Sequence, residues 1–288
     1  MDKKNFYVKS HGLGNDYFVL AEDNITFELT DKAIVKLCDT HYGIGSDGIL
    51  LKTISNNANF GLRIFNPDGS EAEKSGNGLR IFAKYLYDYG FATQKTFTID
   101  TLGGIVTATV TKEVNNKAVE IQVDMGRATF TSHKIPVNAN VDECLNFPLQ
   151  IAGKQYEVNC VSVGNPHAVI LKKELEIDEI KRVGHTIETH PIFPNRINVQ
   201  FAKVISRKEA EILIWERGAG YTLASGSSSC AVACILNRLG LVDKEVAIHM
   251  PGGKLQIQLD EKYNIRMTGA VRQISEGVLH DEMLEDLL

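Results

Sequence analysis

With 288 residues and 43% apolar content, the chain is long enough to bury a large core and to hold two domains. Its 31 basic and 36 acidic residues leave a formal charge of −5, which argues against a nucleic-acid or anionic-membrane partner and for a small-molecule substrate. No apolar stretch follows Lys3 and Lys4 as in a secretory leader, and no segment approaches the roughly 18 apolar residues of a membrane span, so a cytoplasmic protein is expected.

In chain order, residues 5–9 and 17–21 read as the strands of an opening hairpin, joined through a loop over 10–16. An amphipathic helix from Asp31 to Cys38, capped by Thr30, comes next. The stretch Gly43-Ile44-Gly45-Ser46-Asp47-Gly48 matches G-x-G-x-x-G literally, but it follows a helix and precedes a strand, Ile49 to Leu51. A dinucleotide fingerprint needs the opposite order, so that reading fails. Phe60 to Phe65 reads as a strand and Leu79 to Tyr89 as a helix, followed by three segments of period-two alternation, Thr96 to Asp100, Ile105 to Thr111 and Val119 to Asp124.

From there the plan repeats. Strands over Tyr156 to Val163 and Ala168 to Leu171 precede a helix from Leu175 to Val183, then strands over Ile197 to Phe201 and Glu211 to Glu216. A second helix runs from Ser225 towards Gly240, with alternating strands at Val246 to Met250, Lys254 to Leu259 and Asn264 to Met267. The tail, Val271 to Leu279, is expected to return to the first half as a strand. Ser75 and Ser225 stand 150 residues apart, as do Asn15 and Asn165, and each serine lies 15 residues before a glycine that ends its helix. Such recurrence at one offset is the signature of a duplicated unit. The expected domains are 1–126, joined by 270–288, and 127–269.

Each serine sits where a helix begins, and there unpaired N–H groups and the positive end of the helix dipole favour a carboxylate. Two such helix starts brought face to face would hold one carboxylate and set a small polar side chain on each side of the neighbouring carbon, a geometry suited to stereochemical inversion. Taken singly, the residues have plainer readings: Ser75 and Ser225 as N-caps, Asn15, Asn66 and Asn165 as turn residues, His167 as a surface or capping histidine, Glu216-Arg217 as a solvated strand end. A serine hydrolase is disfavoured, because neither serine lies in G-x-S-x-G and duplication has no use in that chemistry. The five cysteines, Cys38, Cys144, Cys160, Cys230 and Cys234, show neither C-x-x-C spacing nor the even count of a disulfide framework, and Cys230 and Cys234, at i, i+4 without nearby His or carboxylate ligands, read as buried small hydrophobes.

Five ordered motifs carry a resemblance over nearly the whole chain: His11-Gly12-Leu13-Gly14-Asn15-Asp16, Gly43 to Gly48, Asn66 to Arg80, Gly164-Asn165-Pro166-His167-Ala168-Val169, and Trp215-Glu216-Arg217-Gly218-Ala219-Gly220. The sequence resembles the pyridoxal-independent amino-acid epimerases typified by diaminopimelate epimerase. The resemblance implies an α+β fold of two pseudo-symmetric domains, each a barrel-like, mostly antiparallel sheet wrapped around a central helix. It also implies an active site in the cleft between them, no metal or organic cofactor, and a homodimer. In that family the positions of Ser75 and Ser225 are catalytic cysteines that remove and return the α-proton, and His167 and Glu216 match positions near the reacting groups. Asn15, Asn66, Asn165, Asn198, Glu216 and Arg217 match substrate-holding positions, and the backbone of Gly76, Asn77, Gly226 and Ser227 would hold the reacting carboxylate.

Serine at both catalytic positions removes most of the proton-transfer capacity while keeping shape and hydrogen bonding, since a hydroxyl needs an adjacent base where a thiol does not. An inactivating replacement for trapping substrate and a natural relative using hydroxyls would look identical. The implied activity is interconversion of LL- and meso-diaminopimelate by two-base proton transfer. Alternatives are a sibling amino-acid racemase, a hydroxyproline dehydratase or epimerase, and a non-catalytic amino-acid-binding homologue.

Overall fold

The computed structural model describes residues 3–287. Helices α1 (Asp31–Cys38), α2 (Gly76–Asp88), α3 (Ile177–Glu188), α4 (Gly226–Arg238) and α5 (Asp281–Glu285) are set among strands that form mixed sheets. The chain divides into two compact units, one holding the residues up to Val123 with those from Gly269 on, the other Asp124–Thr268.

In the first unit the strands lie side by side in the order Arg272–Val278, Phe6–Gly12, Asn15–Ala21, Ile49–Thr53, Phe60–Phe65, Thr96–Thr101, Gly104–Val114, Lys117–Arg127. The second unit repeats that order with Phe147–Ile151, Lys154–Ser162, Pro166–Leu171, Asn198–Ser206, Glu209–Glu216, Glu245–Met250, Gly253–Leu259 and Asn264–Ala270. Neighbours are antiparallel except where a helix crosses over. Helices α1 and α2 each join a parallel pair in the first unit, and α3 and α4 do so in the second.

The sequence explains which helix goes inside. Helix α1 buries only one stripe, Ala33, Ile34, Leu37 and Cys38, and covers Phe18, Leu20, Ile49 and Leu51 on one face of the sheet. Helix α2 is buried at ten successive positions, Asn77 through Leu86, and α4 at nine, Ser228 through Leu236. A helix buried all round must be enclosed. Accordingly α2 packs on Phe6–Gly12, Asn15–Ala21 and Gly104–Val114, strands far apart in the sheet order, so the sheet curls around it.

Several boundaries differ from expectation. The opening loop shrinks to Leu13 and Gly14, whose φ values of 58° and 89° make the tight turn of a two-residue hairpin, so His11, Gly12, Asn15 and Asp16 are strand residues. Helices α2 and α4 begin at Gly76 and Gly226, at once after the serines. Helix α3 continues to Glu188, past Gly184, where the sequence suggested a stop. That glycine serves packing: an ideal Cβ would fall 2.5 Å from Trp215 Cδ2. Helix propensity alone would favour Gly184→Ala by up to ~1 kcal/mol. Overpacking against the indole is the larger effect, and urea unfolding should show the variant less stable by about 1–3 kcal/mol.

Candidate active site

Both serines are helix caps in the structure. Ser75 is extended (φ −137°, ψ 118°) and its Oγ accepts from the Gly78 N–H at 3.1 Å. Ser225 is extended (φ −150°, ψ 127°) and its Oγ accepts from the Ser228 N–H at 3.3 Å. In each helix the cap turns its hydroxyl over the first turn, where the N–H groups of Gly76 and Asn77, or of Gly226 and Ser227, have no partner within the helix.

In the first unit a polar chain backs that turn. Asp47 Oδ2 accepts from Asn15 Nδ2 at 2.9 Å and from the Asp16 N–H at 3.0 Å, and Asn15 Oδ1 accepts from Asn77 Nδ2 at 3.1 Å. Asn77 Oδ1 in turn accepts from the Arg80 guanidinium at 2.7 Å, which also donates to the Gly76 carbonyl at 3.2 Å. Arg80 has no exposed surface. The Tyr17 hydroxyl lies 3.2 Å from Ser75 Oγ. Asn66 is engaged in its own turn, where Nδ2 donates to Ser70 Oγ at 2.9 Å.

In the second unit the corresponding turn is held by a ring of neutral groups. Gln200 Nε2 donates to Ser228 Oγ at 2.9 Å and lies 3.0 Å from His167 Nδ1, and His167 Nε2 lies 2.9 Å from Asn165 Oδ1. Asn165 Nδ2 reaches back to Ser227 Oγ at 3.5 Å. His167 is fully buried with both ring nitrogens engaged, so in this arrangement it orients Asn165 and does not present a free nitrogen to a substrate. Burial drives its pKa down to about 3, opposed by the Gln200 hydrogen bond and reinforced by the charge of Arg217.

The linkage follows from that depressed value. The unfolded chain takes up a proton near pH 6.5 that the folded chain refuses until about 3, so stability is complete above pH 6.5 and falls through that window as the pH drops. Lowering the pH from 6.5 to 5 should remove about 2 kcal/mol in the chain as it stands. His167→Gln should lack that part of the pH dependence, read as the difference between two urea titration series.

Beside Ser225 stands Glu216. Burial pushes the carboxyl of this half-buried residue above its ordinary range, and a hydrogen bond with Ser225 works the other way. A carboxylate of raised pKa is a stronger base than a solvated one, and next to a hydroxyl it is the partner a serine needs to pass a proton. The first unit has no such group at the matching place, because the residue 150 positions earlier is Asn66. The two turns are thus alike in shape and unlike in charge.

Arg217, whose side chain is exposed, follows Glu216. Its N–H donates to Asn198 Oδ1 at 3.0 Å and its guanidinium to the Asn195 carbonyl at 3.0 Å, while Asn198 Nδ2 donates to the Pro166 carbonyl at 2.9 Å. Asn198 therefore ties the Arg217 backbone to the Asn165 turn. Within each unit, then, Ser75, Gly76, Asn77 and Asn15 gather at one helix start, and Ser225, Gly226, Ser227, Asn165, His167 and Glu216 at the other.

Sequence reasoning passed over Tyr17, Asp47, Arg80, Gln200 and Glu188. Tyr17 and Gln200 were within reach: Tyr17 stands 150 residues before His167, and Gln200 is a polar residue two after Asn198, hence on the same strand face. Among the described residues, no group of three or more His, Cys, Asp or Glu comes together as a metal site would require. Among them also no helix is long and apolar enough to cross a membrane.

A family model described as diaminopimelate epimerase matches residues 7–131 and 159–274. The chain belongs to the diaminopimelate epimerase family. It is 45% identical to diaminopimelate epimerase 2 of Nostoc sp. over 278 residues, covering 96% of each chain. It is 40% identical to diaminopimelate epimerase of Acetivibrio thermocellus over 274 residues, with 94% of this chain and 97% of the relative covered. Among solved structures, a probable proline racemase from Agrobacterium radiobacter K84 superposes with a TM-score of 0.70 at 14% identity, covering 96% of this chain and 93% of that one. A hydroxyproline epimerase from Agrobacterium vitis gives 0.70 at 12% identity, covering 94% and 91%. At such identities these structures share the fold, in which the epimerase family and its neighbours are built from two repeated domains.

Proposed function

We propose that this member of the diaminopimelate epimerase family binds diaminopimelate and moves the proton on one of its α-carbons between the LL and meso forms, without a cofactor. In this reading Ser75 and Ser225 flank the α-carbon from opposite sides. The first-turn N–H groups of Gly76, Asn77, Gly226 and Ser227 hold the adjoining carboxylate and stabilise the charge that moves into it as the proton leaves. Asn15, Asn66, Asn165, Asn198, Glu216 and Arg217 hold the rest, with the Arg217 cation suited to a distant carboxylate. The observation that supports this most is the twin construction: two helix starts, each capped by a serine at the same place in its unit and each backed by an asparagine from the hairpin before it.

With hydroxyls in place of thiols, proton transfer is slow and one-sided. Glu216 supplies a base beside Ser225, whereas Ser75 has the Tyr17 hydroxyl. The chain as it stands should bind diaminopimelate and wash deuterium into its α-position slowly, with little inversion. Calorimetry together with proton NMR in deuterated water tests this. Binding without any exchange would make the chain an amino-acid-binding homologue, and exchange with proline or hydroxyproline but not diaminopimelate would point to a sibling reaction. By the same family reading the protein works as a homodimer, which sedimentation would check.

A further inference from the structure

The pair Glu216-Arg217 is gripped on both sides by one carboxylate that carries no part in the reading above. Glu188, at the C-terminal end of α3, is 1% exposed. Its Oε2 accepts from Trp215 Nε1 at 2.8 Å, and its Oε1 accepts from the Gly218 N–H at 2.8 Å. Trp215 immediately precedes the pair and Gly218 immediately follows it. Arg196 closes an ion pair on Oε1, and His185 Nδ1 lies 3.5 Å from Oε2. Burial works to raise this carboxyl, but the Trp215 and Gly218 donors and the charges of Arg196 and His185 outweigh it and hold it below the ordinary carboxylate range. The clamp is therefore ionised, and charge-assisted hydrogen bonds are the strong kind. Gly184, one helical turn earlier, leaves the space in which the indole lies.

We infer that Glu188 is a positioning residue that fixes Glu216 and Arg217 and so sets the preference for a substrate with a second charged end. The inference rests on the functional reading above. It adds that selectivity is held from behind, by a buried carboxylate that touches no substrate. Two donors flanking a dipeptide hold its backbone in place, and with it the points from which the Glu216 and Arg217 side chains project. Loosening them should lower selectivity before it lowers binding of the amino-acid core.

The test uses the full chain and two probes, meso-diaminopimelate and L-norleucine, which lacks the distal carboxylate and amine. The chain as it stands should prefer diaminopimelate by at least ~10²-fold, as a site built around charged substrate groups rejects an analogue without them. Glu188→Gln, which keeps shape but turns one acceptor into a donor, should shrink that preference about tenfold and leave norleucine binding within about twofold. Trp215→Phe, which removes one donor and keeps the carboxylate, should shrink it less. Trp215 is the only tryptophan of the chain, so its emission reports directly that the Glu188→Gln clamp has been disturbed in a folded protein. Parallel weakening of both probes, or a shifted emission with unchanged preference, would overturn the inference. No preference in the unsubstituted chain would overturn the two-ended substrate itself, a distinct result that removes the inference with it.

Discussion

Ser75→Cys combined with Ser225→Cys is expected to raise α-proton exchange and inversion of diaminopimelate by about 10²–10⁴-fold for each base restored. A thiol at a helix start has its pKa lowered from about 8.5, so thiolate and thiol are both present near neutrality and each can take or give a proton. A hydroxyl in the same place can only give one readily. The single variants should differ. Ser225→Cys places a thiol beside the Glu216 carboxyl, and Ser75→Cys places one beside the Tyr17 hydroxyl. Each alone should exchange the α-proton of one epimer without inverting it, and the epimer should switch between the two variants. Proton NMR in deuterated water with pure LL- and meso-diaminopimelate reads this. Equal inversion by either single variant would show that one half suffices.

Arg80→Leu should be the most destabilising single substitution at the first helix start. The side chain heads the fully buried residues by size, and its guanidinium donates to Asn77 Oδ1 and the Gly76 carbonyl. Leucine would leave Asn77 Oδ1 buried without that donor, at about 1–3 kcal/mol, would strip a second donor from the half-buried Gly76 carbonyl, and would not refill the volume the longer side chain occupies. A loss of about 2–5 kcal/mol is a large fraction of a typical stability of 5–15 kcal/mol. Arg80→Lys keeps a charge but cannot span both acceptors, and should fall between. Because Asn77 turns towards Asn15 on the same network, diaminopimelate affinity should fall as well, and calorimetry on Arg80→Lys separates that effect from unfolding. Unchanged urea midpoints would contradict the network.

Much of this was readable from residue order. The 150-residue offset announced the duplication, the short apolar stretch after each serine announced a helix there, and the family resemblance placed that helix at the centre of its domain. What escaped has physical reasons. Arg80 and Glu188 are charged residues on helices, where the ordinary place is the surface, and only the three-dimensional partners reveal their burial. Gly184 looked like a stop because a glycine that admits an indole and a glycine that ends a helix are the same letter. The strand Phe147–Ile151 contains Pro148, which demotes a strand unless it lies at an edge. Here it pairs with Lys154–Val158. The serine caps were legible as caps, but the difference between their neighbours, Tyr17 on one and Glu216 on the other, depends on strand pairing that no local pattern announces.

The proposal that carries the rest is that Ser75 and Ser225 both act on one substrate carbon. A crystal structure of the chain with meso-diaminopimelate tests it most directly. The account predicts one ligand, its α-carbon within about 4 Å of both Oγ atoms on opposite sides and its carboxylate on the first-turn N–H groups. A ligand bound to one helix start alone, with the other hydroxyl out of reach of the stereocentre, would contradict it.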